Sequence, residues 1–173
     1  MFLLNDEMIR KYMDNHLLGI EDFDRGLLLP THYYFRIGKW VRKWDKKDKN
    51  HHPVEIGRPG KEVFEIPPKG YASIISLERF YCSDKVLAIF GQISDLALDG
   101  LRLNHSPTID PNFAGFLEMG IENLLDWPVE LAYGTPIGKI LFFDISDTYP
   151  IHDIANSISA SKYERRGARR PDE

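Results

Sequence analysis

Residues 108–123 read TIDPNFAGFLEMGIEN. An Ile-Asp-Pro turn leads through Phe113 and Gly115 into a run whose apolar residues alternate with acidic or small ones, the period of a half-buried strand. Side chains on a strand repeat every second residue, so Glu118 and Glu122 share one face, and Gly120 stands between them on that face. The strand therefore carries a hole between two acids.

Outward from this stretch the chain keeps the same habit. VFEI (63–66), ASIISLERFY (72–81), KVLAIFG (85–91), VELAYG (129–134) and KILFFDIS (139–146) are short apolar or alternating runs. They are separated by turn signals such as PPKGY and LLDWP. HYYFRIGKWV (32–41) is aromatic and β-branched and reads as a further strand. Many short strands at close spacing predict an all-β barrel or sandwich. Two helices interrupt it. Asn5 caps the first, with Asp6 and Glu7 at its positive end and Met8, Ile9, Tyr12 and Met13 on one face. SDLALDGL contains a second, brief one capped by Ser94. HLLGIEDFDRGLLLP (16–30) reads as a loop-rich connection, and KWDKKDKNHHP (43–53) as a charged, solvated loop. His51 and His52 make no metal motif, because adjacent residues of an extended chain point to opposite sides.

The 173 residues form one domain over 1–160, followed by a polar, basic tail at 161–173 that is expected to be flexible. A net charge of −4 argues against a nucleic-acid polymer as partner. No apolar run is long enough to span a bilayer, and MFLLNDEMIRKYM is too short and too soon acidic for a signal peptide. The single Cys82 cannot make an intrachain disulfide, which fits a cytoplasmic location. General nucleotide, hydrolase and zinc motifs are absent from the sequence.

The order of segments is more specific than any one of them. IDPNFAGFLEMGIEN, followed by YGTPIGKILFF, resembles the central hallmark of the dCTP deaminase and dUTPase superfamily. LNDEMIRKYM is similar to the N-terminal helix of the deaminase branch, and LPTHYYFRIG to its Gln-Pro-Ala-Ser-Tyr-Asp-Leu-Arg-Leu-Gly segment. ISLERFYCSDKVLAIFG resembles a Leu-Glu-Arg-Phe strand pair, and SKYERRG the C-terminal Lys-Tyr lid. The resemblance implies a distorted β-barrel or jelly-roll-like fold with a short N-terminal helix. It also implies a homotrimer with pyrimidine deoxyribonucleotide sites at subunit interfaces, Mg²⁺ accompanying the triphosphate, and a lid that closes over it.

Residue by residue, the resemblance assigns Asp110 the family's turn Asp, which in dUTPases holds the sugar 3′-hydroxyl and helps position the attacking water. The alternative role is a turn residue satisfying backbone amides before Pro111. Phe113 stands where the family sets an aromatic against the deoxyribose, an apolar platform that offers a 2′-hydroxyl no partner; plain core packing is the alternative. Ser94 stands for a phosphate-binding serine. Lys162 is a phosphate ligand in the lid, and Arg166 lies near a position where the family has Gln.

Three positions depart from the pattern. GQISDLALDGL is one residue longer than the family's Gly-Arg-Ser-Ser-Leu-Ala-Arg-Leu-Gly-Leu, its second Arg falling at Leu98 and its first at Gln92 or Ile93. Tyr34 replaces an Asp. The glutamate that should take a proton from water and protonate the leaving group falls at Gly120, ten residues after Asp110. Glu118 and Glu122 each lie roughly 7 Å from it along a strand, against the about 3 Å that a general base needs. Three functions are compatible with these residues: a nucleotide-binding protein with weak or no deamination, an active dCTP deaminase or dUTP diphosphatase with displaced groups, or a structural trimer without nucleotide. The first is the reading preferred.

Overall fold

The computed structural model describes residues 1–44 and 51–147. In chain order the elements are β1 (Phe2–Leu3), α1 (Asp6–Asp14), β2 (Leu18–Ile20), a 3₁₀ turn (Arg25–Leu27), β3 (Leu28–Leu29), β4 (His32–Trp44), β5 (His51–Glu55), β6 (Val63–Ile66), β7 (Tyr71–Cys82) and β8 (Val86–Gln92). Then come α2 (Ser94–Leu98), β9 (Leu101–Asn104), β10 (Thr108–Ile109), β11 (Ala114–Asn123), β12 (Val129–Ala132) and β13 (Pro136–Asp144). The all-β class with a short N-terminal helix is thus borne out. One sheet runs β10-β8-β13-β4-β7-β11-β9, with β1 beside β13, β2 beside β7, and β3 and β5 beside β4. β6 and β12 form a separate ribbon. The sheet curls as a half-barrel around its apolar face.

Alternation builds that core. Tyr33, Phe35 and Ile37 of β4, Ile74, Phe80 and Cys82 of β7, Val86, Ala88 and Phe90 of β8, and Ile140 and Phe142 of β13 all point inward and are buried. Phe35 lies edge-on to both Phe80 and Phe90, with centroids 6.4 and 5.8 Å away. β13 approaches β4 closely because residue 138 has no side chain, for a Cβ there would stand 2.2 Å from the Phe35 ring. α1 begins as expected. The Asn5 side chain accepts from the Met8 N–H at 2.8 Å, and Ile9 is buried while Tyr12 and Met13 lie against the core.

Two local expectations are corrected. His51 and His52 belong to strand β5 rather than a loop, since residues 51–55 pair with β4 from Trp40↔Glu55 to Trp44↔His51, and Val54 sits opposite Val41. Ser94 does not cap α2. The residue before the helix is Ile93, whose N–H donates to Ile137 O, and Ser94 is already the first helical residue. The expected lid at 161–173, with Lys162 and Arg166, and the charged residues 45–50 lie outside the described residues.

Candidate functional site

β13 is the hinge of the site. It pairs with β4 through Lys139↔Tyr34 and with β8 through Gly138↔Gln92, so the start of α2 is drawn over the N-terminal end of β13. Between them opens a cleft of about 340 Å³ lined by Tyr34, Ile93, Ser94, Asp95, Pro136 and Lys139. Its polar groups are two hydroxyls, one carboxylate and one ammonium, a set suited to an anionic ligand with hydrogen-bonding oxygens. Ser94 is therefore placed in a cleft, and so is Tyr34. His32 precedes Tyr34 by two on the same strand, with its ring edge-on to the tyrosine at 4.9 Å. Burial and then Lys139 lower the His32 pKa, which favours a neutral imidazole, and its buried Nε2 has no hydrogen-bond partner among the described residues.

Asp110 and Phe113 are somewhere else. β10 pairs with β8 through Ile109↔Ala88, so Asp110 follows at the Val86 end of β8, while Ser94 lies beyond the Gln92 end. Six residues of extended chain separate Ala88 from Ser94, ~20 Å. One protomer does not bring Asp110 and Ser94 together. The turn at Asp110 is closed by backbone. The Phe113 N–H donates to Asp110 O at 3.2 Å, Asn112 takes φ 63°, and the Cys82 N–H donates to Phe113 O. No hydrogen bond or ion pair of the Asp110 carboxylate is found among the described residues, so it is not spent on the turn. Phe113 is half-buried against the core, so packing and a partly open ring coexist.

Gly120 lies where the alternation puts it. The register Arg42↔Ser73, Ser73↔Gly120 and Gly120↔Asn104 sets four residues in a row across β4, β7, β11 and β9. The hole is filled. A Cβ at 120 would stand 2.0 Å from the Tyr71 hydroxyl oxygen and 2.6 Å from Cζ. The flanking acids are occupied as well: Arg42 reaches Glu118 at 3.1 Å and Arg102 reaches Glu122 at 2.5 Å. Leu98, on the exposed side of α2, is 85% exposed among the described residues.

The sequence reading missed a buried charge cluster. Glu78 is fully buried, accepting from the Arg36 N–H at 2.9 Å, Arg36 Nε at 2.7 Å and the Tyr33 hydroxyl at 3.3 Å. Burial opposes the Arg36 charge, and the Glu78 carboxylate more than offsets this, raising its pKa. Tyr33 is pushed up to about 12, mainly by burial. Every acceptor is satisfied, and the cluster locks β4 to β7 as structure. The Glu within the alternating LERF run was the available signal, because it falls on the inward face.

Residues 3–145 match the dCTP deaminase-like family profile. The chain is 33% identical over 145 residues to dCTP deaminase of Pyrococcus horikoshii, with 84% of each chain covered. It is 26% identical over 155 residues to the dUMP-forming dCTP deaminase of Kocuria rhizophila, with 83% of this chain and 80% of that one covered. Its fold matches the crystal structure of 2′-deoxycytidine 5′-triphosphate deaminase from Agrobacterium tumefaciens with a TM-score of 0.67 at 16% identity, over 87% of this chain and 52% of that longer one. With strands, helix and turn in the order expected from the sequence, and the profile spanning all but the first two of the described residues up to Ile145, this chain belongs to the dCTP deaminase-like family.

Proposed function

We propose that the protein binds a pyrimidine deoxyribonucleoside triphosphate between the subunits of a homotrimer and deaminates it weakly or not at all. The observation that carries this reading is the Tyr71 ring standing over Gly120. Replacing the amino group of cytosine by water requires a group that accepts the water's proton and returns it to the departing ammonia. The family resemblance puts a carboxylate for that task at position 120, where this chain has an aromatic ring instead. Glu118 and Glu122 are each held by an arginine, which disfavours their acting as substitutes.

The binding half of the reading rests on the other two regions. In the cleft, the Ser94 hydroxyl and the Lys139 ammonium suit phosphate oxygens, and Lys162 and Arg166 of the tail would add charge-assisted bonds. Asp110 has an uncommitted carboxylate for the sugar 3′-hydroxyl, and Phe113 offers a surface that would strand a 2′-hydroxyl without a partner. Because Asp110 and Ser94 lie at opposite ends of β8, a complete site needs Asp110 from one subunit and Ser94 from another, which supports a homotrimer. Among the described residues no cluster of three His, Cys, Asp or Glu side chains is placed to hold a metal ion. In this reading Mg²⁺ arrives with the triphosphate, held chiefly by phosphate oxygens, with Asp95 as the carboxylate nearest to it in the cleft. A cytoplasmic location fits such a substrate.

Melting temperatures measured with dCTP, dUTP, dTTP and the corresponding ribonucleotides in Mg²⁺ test the proposal. A ligand that binds only the folded state raises the midpoint once its concentration exceeds Kd. The expected result is a rise with at least one pyrimidine deoxynucleotide and none with its ribonucleotide. No rise with any of them would sink the binding reading.

A further inference from the structure

His32 stands at the edge of the cleft, on the same side of β4 as Tyr34, and the two rings meet edge-on at 4.9 Å. Tyr34 pairs with Lys139 of β13. Imidazole and ammonium therefore stand in neighbouring rows of one sheet face, rows that lie roughly 7 Å apart along a strand. At that spacing two charges are only partly screened. The two ring nitrogens differ. Nδ1 lies 3.1 Å from Thr31 Oγ1, whereas the buried Nε2 has no hydrogen-bond partner among the described residues. Buried polar atoms in folded proteins are nearly always paired, so an orphan beside a cleft marks a place for a ligand atom.

The surroundings hold the ring neutral. Burial lowers its pKa first, and Lys139 lowers it further. β3 sets Leu29 beside His32, and β8 sets Gly91 beside Lys139, so neither adds a charge there. On β4 itself the titratable neighbour is Tyr34, and Asp95 lines the cleft from α2. The start of α1 is held to Pro30 O by the Asp6 N–H, and the Asp6 carboxylate is paired with Arg10 at 3.3 Å.

We propose that His32 is an anion-binding residue of this cleft, which takes up a proton from solvent when a phosphate chain seats on Lys139. In the free protein the ammonium repels a charged imidazole. Negative oxygens beside Lys139 reverse that field, and they bring the acceptor that a second ring N–H needs. Only the N–H bond forms, and the buffer gives up the proton. By linkage, the factor by which the anion favours charged His32 equals the factor by which charged His32 favours the anion. Binding is therefore tighter below the free and bound midpoints of His32 and weaker above them. The inference rests on the phosphate reading of the cleft, but not on the identity of the base or on any catalysis.

The test follows the His32 ring by NMR in the unmutated full chain, with inorganic tripolyphosphate and with dUTP as separate probes. Saturation should raise the His32 titration midpoint by at least one pH unit, and affinity should then gain about tenfold between pH values above and below both midpoints. His32→Gln should lose that gain and keep only the pH dependence of the probe's own phosphates. Lys139→Met should raise the midpoint of the free protein and weaken both probes. A rise with both probes assigns the effect to the phosphate chain, and a rise with dUTP alone assigns it to a bound nucleotide; either supports the proposal. Failure of both probes to bind overturns the phosphate reading of the cleft and this inference with it. Binding that leaves the midpoint unmoved, or moves it as far in Lys139→Met as in the parent chain, overturns this inference alone.

Discussion

Position 120 has a physical reason to be glycine that is separate from catalysis. On the sequence alone it is a gap in an alternating strand, and the structure fills the gap from the neighbouring strand with Tyr71. An added methyl group meets the far end of the Tyr71 side chain, which is 38% exposed and can swing outward, so Gly120→Ala should cost no more than about 1 kcal/mol. Truncating the ring with Tyr71→Ala should remove most of that penalty, which a double-mutant cycle in urea would read as a coupling of opposite sign. Independent costs would mean that the two residues do not compete for the same space. It follows that restoring a glutamate at 120 requires Tyr71 to give way first. A second residue-scale prediction concerns Glu78. Glu78→Ala leaves Arg36 and Tyr33 facing an empty buried site and should cost about 3–5 kcal/mol, measured by chemical denaturation. The face of Gly120 was legible from the period of the strand. Its filling was not, because Tyr71 lies 49 positions earlier and only the β7–β11 register brings the two together.

Elements are tied by a few polar contacts that periodicity does not announce. α1 is anchored to β13 by a hydrogen bond from the Tyr12 hydroxyl to the Asp144 carboxylate. Burial raises the Tyr12 pKa to about 12, with Asp144 contributing. For Asp144, burial works upward, but the hydrogen bonds from Tyr12 and Ser146 outweigh it and hold the carboxyl below its usual range. The signs give two limits. The raised phenol pKa contributes stability that is whole below pH 10 and lost as pH climbs towards 12. The depressed carboxyl contributes stability that is whole above the ordinary carboxylate range and lost as pH falls through its folded value. Tyr12→Phe should flatten both limbs of a plot of urea midpoint against pH; an unchanged plot would mean that the pair contributes nothing. The helix itself was readable from its cap and apolar stripe, as were the long strands. β5, β9 and β10 were not, because their short polar segments become strands only by pairing with β4, β11 and β8. Ser94 misled for a related reason: the Ile93 bond to β13 sets where α2 starts, so the serine falls inside the helix.

At the scale of the whole molecule, the family and the all-β fold were legible from the order of segments, whereas the site was legible only as separate pieces. Asp110 and Ser94 lie at opposite ends of β8, and the sequence has no way to display that distance. If subunits share sites, Asp110→Asn and Ser94→Ala chains should each bind nucleotide poorly as pure proteins. Co-assembled, they should regain binding at roughly a quarter of the sites, the fraction that random assortment pairs with both intact halves. No recovery would argue against a shared site. The most direct measurement of the central claim is product analysis of dCTP incubated with the protein and Mg²⁺ at concentrations where the melting temperature has already risen. The account predicts that dCTP is recovered intact while bound. A uridine nucleotide accumulating over many turnovers would contradict it.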